Sequence, residues 1–346
     1  MKRPLYIAGW GAVTAAGLDS GQTLAAIRAN LSAIEVQGFF NLGLSQVVSR
    51  IPAHHQLRKT HAAWLINMAS RAIGEVLRTG TAGPEATVVL LTPPESFRDH
   101  PAYSDIPVSG FLAAVIKATG NRFHPASRAI DGGAAATLGL LDQAVELLER
   151  QDVEQILLGG VDSLINDADL LRLSQASRLK GPDNPQGLVP GEAAAFVRLT
   201  LEPKGKAAVL ASILGVGTAL EGDSVLSDRF SQGRAMLGAL RDAVTGSGRS
   251  EPDINFVVSN GNGERYSGWE MMITHPRFYR TRREILPTAY HAMTIGDIGA
   301  AGGALALMLV ADSFLNDYAP GPTAICEVAS EGGLRAAAVM ARMNRD

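Results

Sequence analysis

The sequence predicts an α/β fold in which the second half of the chain repeats the first. Short aliphatic runs typical of strands alternate with longer segments whose apolar residues recur every three or four positions, as in helices. Three segments of the first half recur in the same order in the second half: 5–17 as 209–222, 132–144 as 298–312, and 192–198 as 335–342. Because the order is kept as well as the composition, an internal duplication of roughly 150 to 200 residues is favoured over chance likeness of Ala/Gly-rich units. We expect one compact unit with halves at 1–200 and 207–346, linked by 201–206.

Composition narrows the class of protein. The 346 residues are 46% hydrophobic and only 5% aromatic, enough for a large core of aliphatic side chains and alanine. A net charge of −3 gives no electrostatic reason to expect nucleic acid or an anionic membrane surface as a partner. The single cysteine, Cys326, excludes an intramolecular disulfide and a multi-cysteine metal site. With no signal-peptide pattern and no apolar run long enough to span a bilayer, a cytoplasmic protein is expected.

The first elements follow from caps and breakers. Residues 5–13 read as a strand that ends at a glycine-rich turn, and Asp19 or Ser20 can cap a helix over 22–30. A second helix is predicted over 60–78. The run T-V-V-L-L at 87–91 is predicted to be a buried strand, bounded by two prolines. A loop over 95–106, a helix over 111–119 and a short strand over 127–130 complete this part.

The segment over 130–150 is the most informative part of the chain. It reads as the end of a strand, a tight turn of the smallest residues, and a helix whose apolar face is Leu138, Leu141, Val145 and Leu148. Such a turn can expose a nucleophile at a helix N-terminus, where the dipole stabilises negative charge. The exposed positions predicted here, 134–136, are all alanine. The sequence therefore predicts the support for a nucleophile without the nucleophile.

Later elements are predicted in the same way. A strand over 153–159 is expected to stop at Gly159–Gly160, a Gly/Pro/Asn/Asp loop covers 181–190, and 192–199 is a strand. Residues 269–287, with T-H-P-R-F-Y-R-T-R-R-E, are basic and aromatic. They are interpreted either as a contact surface or as a solvated loop.

Six segments in a fixed order carry a family resemblance. They are I-A-G-W-G-A-V-T-A-A-G at 7–17, I-D-G-G-A-A-A-T-L at 130–138, L-L-G-G-V-D-S at 157–163, G-L-V-P-G-E-A-A-A-F-V-R-L at 187–199, V-S-N-G-N-G at 258–263 and T-I-G-D-I-G-A-A-G at 294–302. Together they resemble the motifs of the β-ketoacyl synthases, the condensing enzymes of the thiolase fold. The resemblance covers nearly the whole chain. It implies a thiolase-like fold, with two duplicated βαβαβ-type halves in five α-β-α-β-α layers, and a dimer formed along the strand at 127–130.

The chemistry implied by the resemblance is missing. In active members of that family a cysteine on the turn is acylated, and two histidines stabilise the enolate and oxyanion formed when a malonyl-carrier protein is decarboxylated. Matched position by position, the cysteine falls on Ala134, the first histidine on Asn260, the second on Asp297, and a nearby lysine on Ala292. The chain therefore resembles a degenerate member that lacks the Cys-His-His triad, and no catalytic residue is expected at these positions.

Several other residues are candidates for lining a site. Those that could line a site are Asp131, Gly133, Thr137, His291, Gly332 and Gly333. Asp131 is more simply a hydrogen-bonding residue of the turn and Thr137 a helix cap or packing residue. His291 lies six residues before Asp297 and would take its place only in a different register. Cys326 reads as a small buried hydrophobe in a strand.

No cofactor or metal is expected. The sequence contains no P-loop, no dinucleotide fingerprint and no cluster with metal-ligand spacing. His54 and His55 are adjacent, but they are more typical of a polar loop or helix cap than of a metal pair.

Three functions remain open on this basis. The first is a catalytically inactive ketosynthase-like subunit of fatty-acid or polyketide-type synthesis, as a homodimer or as a heterodimer with an active ketosynthase, with acyl carrier protein as a further partner. The second is a thiolase-like adaptor or chaperone for a type VI secretion effector. The third is an active 3-oxoacyl-acyl carrier protein synthase-type enzyme with a rearranged site.

Overall fold

The computed structural model describes residues 1, 3–52, 60–80, 82–95, 97–103, 106–202, 211–227 and 229–343. In the first half the elements are β1 (Leu5–Thr14), α1 (Ser20–Arg28), β2 (Glu35–Phe39), β3 (Leu44–Val48), α2 (His61–Arg78), β4 (Thr87–Thr92), α3 (Val108–Thr119), β5 (Arg128–Ala129), α4 (Gly133–Gly139), α5 (Leu141–Leu148), β6 (Gln155–Ser163), α6 (Asp167–Gln175) and β7 (Glu192–Thr200). In the second half they are β8 (Ala211–Leu220), α7 (Arg234–Ser247), β9 (Phe256–Ser259), α8 (Arg265–Phe278), β10 (Thr288–Tyr290), α9 (Ala292–Ile295), α10 (Gly302–Leu315), β11 (Thr323–Ala329) and β12 (Leu334–Arg342).

The two halves form sheets of the same topology. The strand order is β5-β4-β6-β7-β1 in the first half and β10-β9-β11-β12-β8 in the second. In each half the last strand, β7 or β12, is antiparallel to both neighbours, while the strands beyond it run parallel. Residues 5–7 of β1 pair with 211–213 of β8, so the sheets also meet along one edge. The repeated order and direction confirm the predicted duplication.

The core is divided into three apolar layers by the two sheets. Alternate residues of β4 point to opposite faces, as the pleat requires: Val88 and Leu90 pack toward the centre, and Val89 and Leu91 pack toward α2 and α3. A third cluster lies between α7 and the outer face of the second sheet. The central layer holds α4, α5 and α10 between the sheets. With helices outside each sheet, this is the predicted five-layered arrangement.

The two central helices approach each other closely. Helix α10 is buried from Gly302 to Phe314, which fits a helix that is apolar on every side. A methyl group on Gly303 would lie 2.3 Å from the carbonyl oxygen of Ala134 and 2.9 Å from the Cβ of Thr137. Only a residue without a side chain allows α4 and α10 to cross at this distance.

Several predicted ends of helices and strands agree closely with the structure, and one predicted strand end does not. The caps Asp19 and Thr60 each accept a hydrogen bond from the backbone of the helix that follows. Strand β6, however, continues through Gly159 and Gly160 to Ser163, so the predicted stop is wrong. A Cβ on these glycines would lie 2.1 Å from a β7 carbonyl and 2.2 Å from the carbonyl of Ala300. The glycines serve close packing and do not end the strand.

Two further expectations concern the surface. The segment 269–287, interpreted as a contact surface or a loop, lies partly in α8, and its exposed Trp269 packs against Phe230 with ring centroids 5.7 Å apart. His54, His55 and most of the predicted linker, from residue 203 on, lie outside the described residues. Within the described ranges, no helix combines the length and the apolar character needed to cross a membrane.

Candidate functional site

The three positions matched to the family triad meet in one cavity. Ala134 lies in the first turn of α4, Asn260 directly follows β9, and Asp297 follows α9. All three line a cavity of about 90 Å³ between the two halves. Gly133, one of the candidate lining residues, also borders it. The structure thus brings together the residues that the matched motifs single out.

The turn before α4 is closed rather than exposed. Ala134, Ala135 and Ala136 are all at most 5% exposed, so the expectation that these positions are exposed is wrong. Ser330, from the β11–β12 connection, covers the turn: its hydroxyl accepts from the backbone N–H of Ala135 at 2.9 Å and donates to the carbonyl of Gly132 at 2.6 Å. A backbone donor at this helix start is therefore already occupied.

Both polar atoms of the Asn260 amide form hydrogen bonds. Its Nδ2 donates to the carbonyl of Ala329 at 2.8 Å, and its Oδ1 accepts from the N–H of the same residue at 2.9 Å. This pair of bonds fastens the residue after β9 to the end of β11. One of the two N–H groups of Nδ2 is thus used by the backbone, and the bonds to Ala329 fix the orientation of the amide.

Asp297 is held from two sides. Its Oδ2 accepts from Asn262 Nδ2 at 2.8 Å and its Oδ1 accepts from the N–H of Gly299 at 3.0 Å. Burial raises the pKa of Asp297 above its ordinary value, although both hydrogen bonds oppose the shift. A carboxyl group can stabilise neither an enolate nor an oxyanion when ionised, because its own charge repels them.

A second buried carboxyl lies beneath this loop. Asp162, near the end of β6, accepts from the N–H groups of Ala300 at 2.9 Å and Ser163 at 2.8 Å. Burial raises the pKa of Asp162 well above its ordinary value. A Cβ on Gly299 would lie 2.0 Å from Asp162 Oδ2, and Gly299 has a φ of +49°, so this position requires glycine on both counts.

Ion pairs line the cavity. Arg178 binds Glu264 through two N–H groups, at 2.7 and 2.8 Å, and also pairs with Glu331. Arg172 reaches Glu331 at 3.1 Å and Asp169 at 3.2 Å. These residues come from segments far apart in the chain, and all of them line the same cavity as Ala134, Asn260 and Asp297.

The network of ion pairs ends at Asp169, which is buried. Asp169 also lies 3.1 Å from His100 Nε2 and accepts from Asn166 Nδ2. Burial alone would raise the pKa of Asp169, but the hydrogen bonds from His100 and Asn166 hold it below its ordinary value. The carboxylate is therefore a fixed anion that anchors Arg172.

The remaining candidate residues do not border the cavity. Asp131 pairs with Arg98 at 3.0 Å, and burial raises its pKa against that pairing. Thr137 shares a hydrogen bond with the hydroxyl of Thr92 at 3.1 Å. Gly332 donates its N–H to Glu95, and Gly333 packs against the carbonyl of Glu221. Glu95, which carried no sequence signal, lies beside the turn before α4, because a Cβ on Gly133 would be 2.5 Å from its Oε2.

His291, Ala292 and Cys326 also lie away from it. The ring of His291 is 1% exposed and packs behind the start of α10: a methyl group on Gly302 would lie 3.5 Å from its Nε2 and 3.6 Å from the Cβ of Asn260. Ala292 borders a separate cavity of about 470 Å³ beside α8. Cys326 is fully buried in β11, and burial raises the pKa of its thiol, as expected of a structural cysteine.

The larger cavity beside α8 contains an ion pair that the sequence analysis did not identify. His275 Nε2 lies 2.8 Å from Glu327 Oε2, and the hydroxyl of Tyr279 donates to Glu327 Oε1 at 2.6 Å. Burial alone would lower the pKa of His275, but the hydrogen bond and the charge of Glu327 raise it above its ordinary value. Among the described residues, no group of three or more His, Cys, Asp or Glu side chains could hold a metal ion.

Comparison with known proteins places the fold. No family model matches the sequence, and no curated protein matches it. Solved structures match along 99% of the chain. One is the complex of a type II polyketide acyl-carrier protein, AntF, with its ketosynthase AntDE, at a TM-score of 0.81 and 15% identity over 100% of that chain. Another is the ishigamide ketosynthase/chain length factor, with a TM-score of 0.73 and 19% sequence identity, covering 100% of that chain. A third is the ketosynthase ApeO with its chain length factor ApeC from Xenorhabdus doucetiae, with a TM-score of 0.76 and 14% sequence identity, covering 98% of that chain.

These similarities agree with the topology described above. The chain has the thiolase-like fold of ketosynthases and chain length factors, as the sequence motifs predicted.

Proposed function

We propose that this protein is a catalytically inactive ketosynthase-like subunit that pairs with an active ketosynthase in acyl-chain synthesis of the fatty-acid or polyketide type. One observation supports the inactivity above all. Both polar atoms of the Asn260 side chain are bonded to the backbone of Ala329, so the amide that stands where the family places its first histidine is fixed in a structural role. Ala134 offers no nucleophile, and Asp297, when ionised, has the wrong charge.

The size of the cavity supports the same proposal. Small-molecule sites usually measure roughly 300–1,000 Å³, whereas the space beside Ala134 measures about 90 Å³. Arg178, Glu264 and Glu331 line this space and are paired with one another, which favours a fixed arrangement of charges over an acyl-binding pocket.

The partner surface that we propose is the free edge of the first sheet. Among the residues that the structure describes, strand β5 pairs only with β4, and Ile130 N donates to the carbonyl of Leu91 on that side. Because N–H groups alternate along a strand, the N–H of Ala129 faces the open edge. An open groove, which includes Ile106 and Leu112, runs beside it. The Nε of Arg128 is buried there without a hydrogen-bond partner in the described part of the chain.

Similar proteins support a partner of this kind. Two of the similar structures contain a ketosynthase with a chain length factor, and the third contains an acyl-carrier protein with its ketosynthase. An unpaired strand edge is a ready template for pairing with a second chain. We therefore assign the edge at β5 to a ketosynthase subunit.

The test is affinity purification of the tagged protein from its host, with mass spectrometry of the proteins that accompany it. We expect an intact ketosynthase, with or without a carrier protein. Ala129→Pro removes the outward N–H without touching the bonds to β4 and should abolish recovery, whereas Ala129→Ser, which keeps the N–H, should not. Recovery of a secretion effector or a secretion-machine component instead would overturn the proposal in favour of an adaptor.

A further inference from the structure

His291 is a buried polar side chain without a partner. Its ring is 1% exposed, and neither Nδ1 nor Nε2 makes a hydrogen bond to any part of the chain that the structure describes. Buried polar groups are nearly always bonded to protein or to an ordered molecule, so each exception calls for an explanation. Burial lowers the pKa of His291 to about 4, which means that the ring is neutral at physiological pH. It therefore offers one donor and one acceptor.

A cleft begins at this ring and opens to solvent. It measures about 360 Å³ and lies between α1, the edge strand β10, and the second half of α10. Its inner wall is apolar and buried, with Phe256, Val258 and Leu309. It shares no lining residue with the small cavity beside Ala134. Its volume lies within the usual range of small-molecule sites.

The mouth of the cleft carries a cation with unused donors. Arg28 Nη1 donates to Asp312 Oδ2 at 2.8 Å, and its guanidinium lies 5.5 Å from the centre of the Tyr318 ring. Tyr318 and Asn316 also donate to Asp312, so both carboxylate oxygens are occupied. Arginine has five N–H donors. The guanidinium of Arg28 can therefore still bind a ligand, and it favours an anionic or strongly accepting group.

We propose that this cleft binds an amphipathic carboxylate: an apolar chain whose carboxylate reaches Arg28 at the mouth and whose far end carries a hydroxyl or carbonyl group that pairs with His291. Each part of the ligand matches one part of the site. The apolar wall covers the chain, the guanidinium binds the carboxylate, and the neutral imidazole bonds the inner polar group. A plain hydrocarbon end would leave both ring nitrogens without partners.

The proposal is independent of the partner proposed above, because it concerns a different cavity and needs no second chain. It also gives the substitution His291→Phe a clear meaning. Phenylalanine fills a similar space without polar atoms, so it removes the preference for a polar inner end and leaves the mouth intact. A merely structural histidine would show no such change in ligand preference.

The test is calorimetric titration of the full chain with hexanoate, octanoate and decanoate, and with the same acids hydroxylated at the far end. We expect the hydroxylated acid of the best length to bind at least about fivefold more tightly than the plain acid, as one net hydrogen bond would give. In His291→Phe the two should bind alike. Arg28→Gln should weaken both by about tenfold or more and keep the hydroxyl preference, while Arg3→Gln, an exposed control, should change neither.

Contrary outcomes are equally clear. No saturable binding by any of the six acids up to their solubility would overturn the proposal, because water alone would then satisfy His291. Equal preference in the wild type and His291→Phe would also overturn it. If His291→Phe does not fold, Arg28→Gln and Arg3→Gln decide the question. A carboxylate at the mouth requires that Arg28→Gln loses affinity and Arg3→Gln does not, so a loss in both variants or in neither contradicts the proposal.

Discussion

The crossing of the two central helices gives a sharp prediction. At Gly303 a methyl group would lie 2.3 Å from the carbonyl oxygen of Ala134, whereas at Gly74, in the middle of α2, no atom lies within 4 Å. Alanine is favoured over glycine inside a helix by about 0.5–1 kcal/mol. Gly74→Ala should therefore stabilise the protein by about that amount.

Gly303→Ala should have the opposite effect. Ala134 and Gly303 would have to separate by about 1 Å, and overpacking of this kind costs about 1–3 kcal/mol or more. After the helix preference of alanine is subtracted, we expect a net loss of about 1 kcal/mol.

The assay is urea unfolding of both variants beside the wild type, followed by circular dichroism, with the slope of the transition checked for constancy. The two substitutions add the same methyl group, so their difference isolates the contact between α4 and α10. If Gly303→Ala were as stable as the wild type, the two helices would not cross at the distance described.

Other predictions follow from the ion pairs and the buried cysteine. Arg178→Leu should lower the free energy of unfolding by about 3 kcal/mol, because the buried Glu264 loses its cation and Glu331 is left with Arg172. Urea unfolding measures this loss, and an unchanged midpoint would contradict the network. Below about pH 6.5 the raised pKa of His275 contributes stability, which is lost as pH rises through that pKa. The destabilisation caused by His275→Gln should therefore become smaller between about pH 6 and about pH 9. A destabilisation that does not change with pH would argue against pairing with Glu327. Cys326 should resist a thiol reagent in the native protein and react after denaturation, and fast native labelling would refute its burial. Ala134→Cys alone should not restore condensation, measured as formation of a 3-oxoacyl-carrier protein from acyl- and malonyl-carrier protein, and any such product would contradict the proposed inactivity.

The sequence was sufficient for the fold because the fold is repeated. The three recurring segments correspond to the first strands β1 and β8, the central helices, and the last strands β7 and β12. Each repeated unit has the same hydrophobic pattern because it occupies the same place in its half. The glycine pair in β6 was misread because close approach and chain reversal require the same residue, and only the neighbours at Ala195 and Ala300 distinguish them.

The site was predictable only in part. Motif order located Ala134, Asn260 and Asp297, and the structure places them around one cavity. The residues whose ion pairs line the cavity carried no sequence signal, because Arg178 and Glu331 are 153 positions apart and belong to no periodic pattern. The isolation of the His291 ring was also not visible, since a missing hydrogen-bond partner can be recognised only when all neighbours are placed.

If the chain is catalytically inactive, as proposed, no residue of it can be acylated at the cavity beside Ala134. The most direct test is the intact mass of the protein after incubation with malonyl- and acyl-loaded carrier protein, beside an active ketosynthase from the same host as a positive control. The account predicts an unchanged mass for this protein and an acyl adduct on the active enzyme. A stable acyl adduct on any residue of this chain would contradict it.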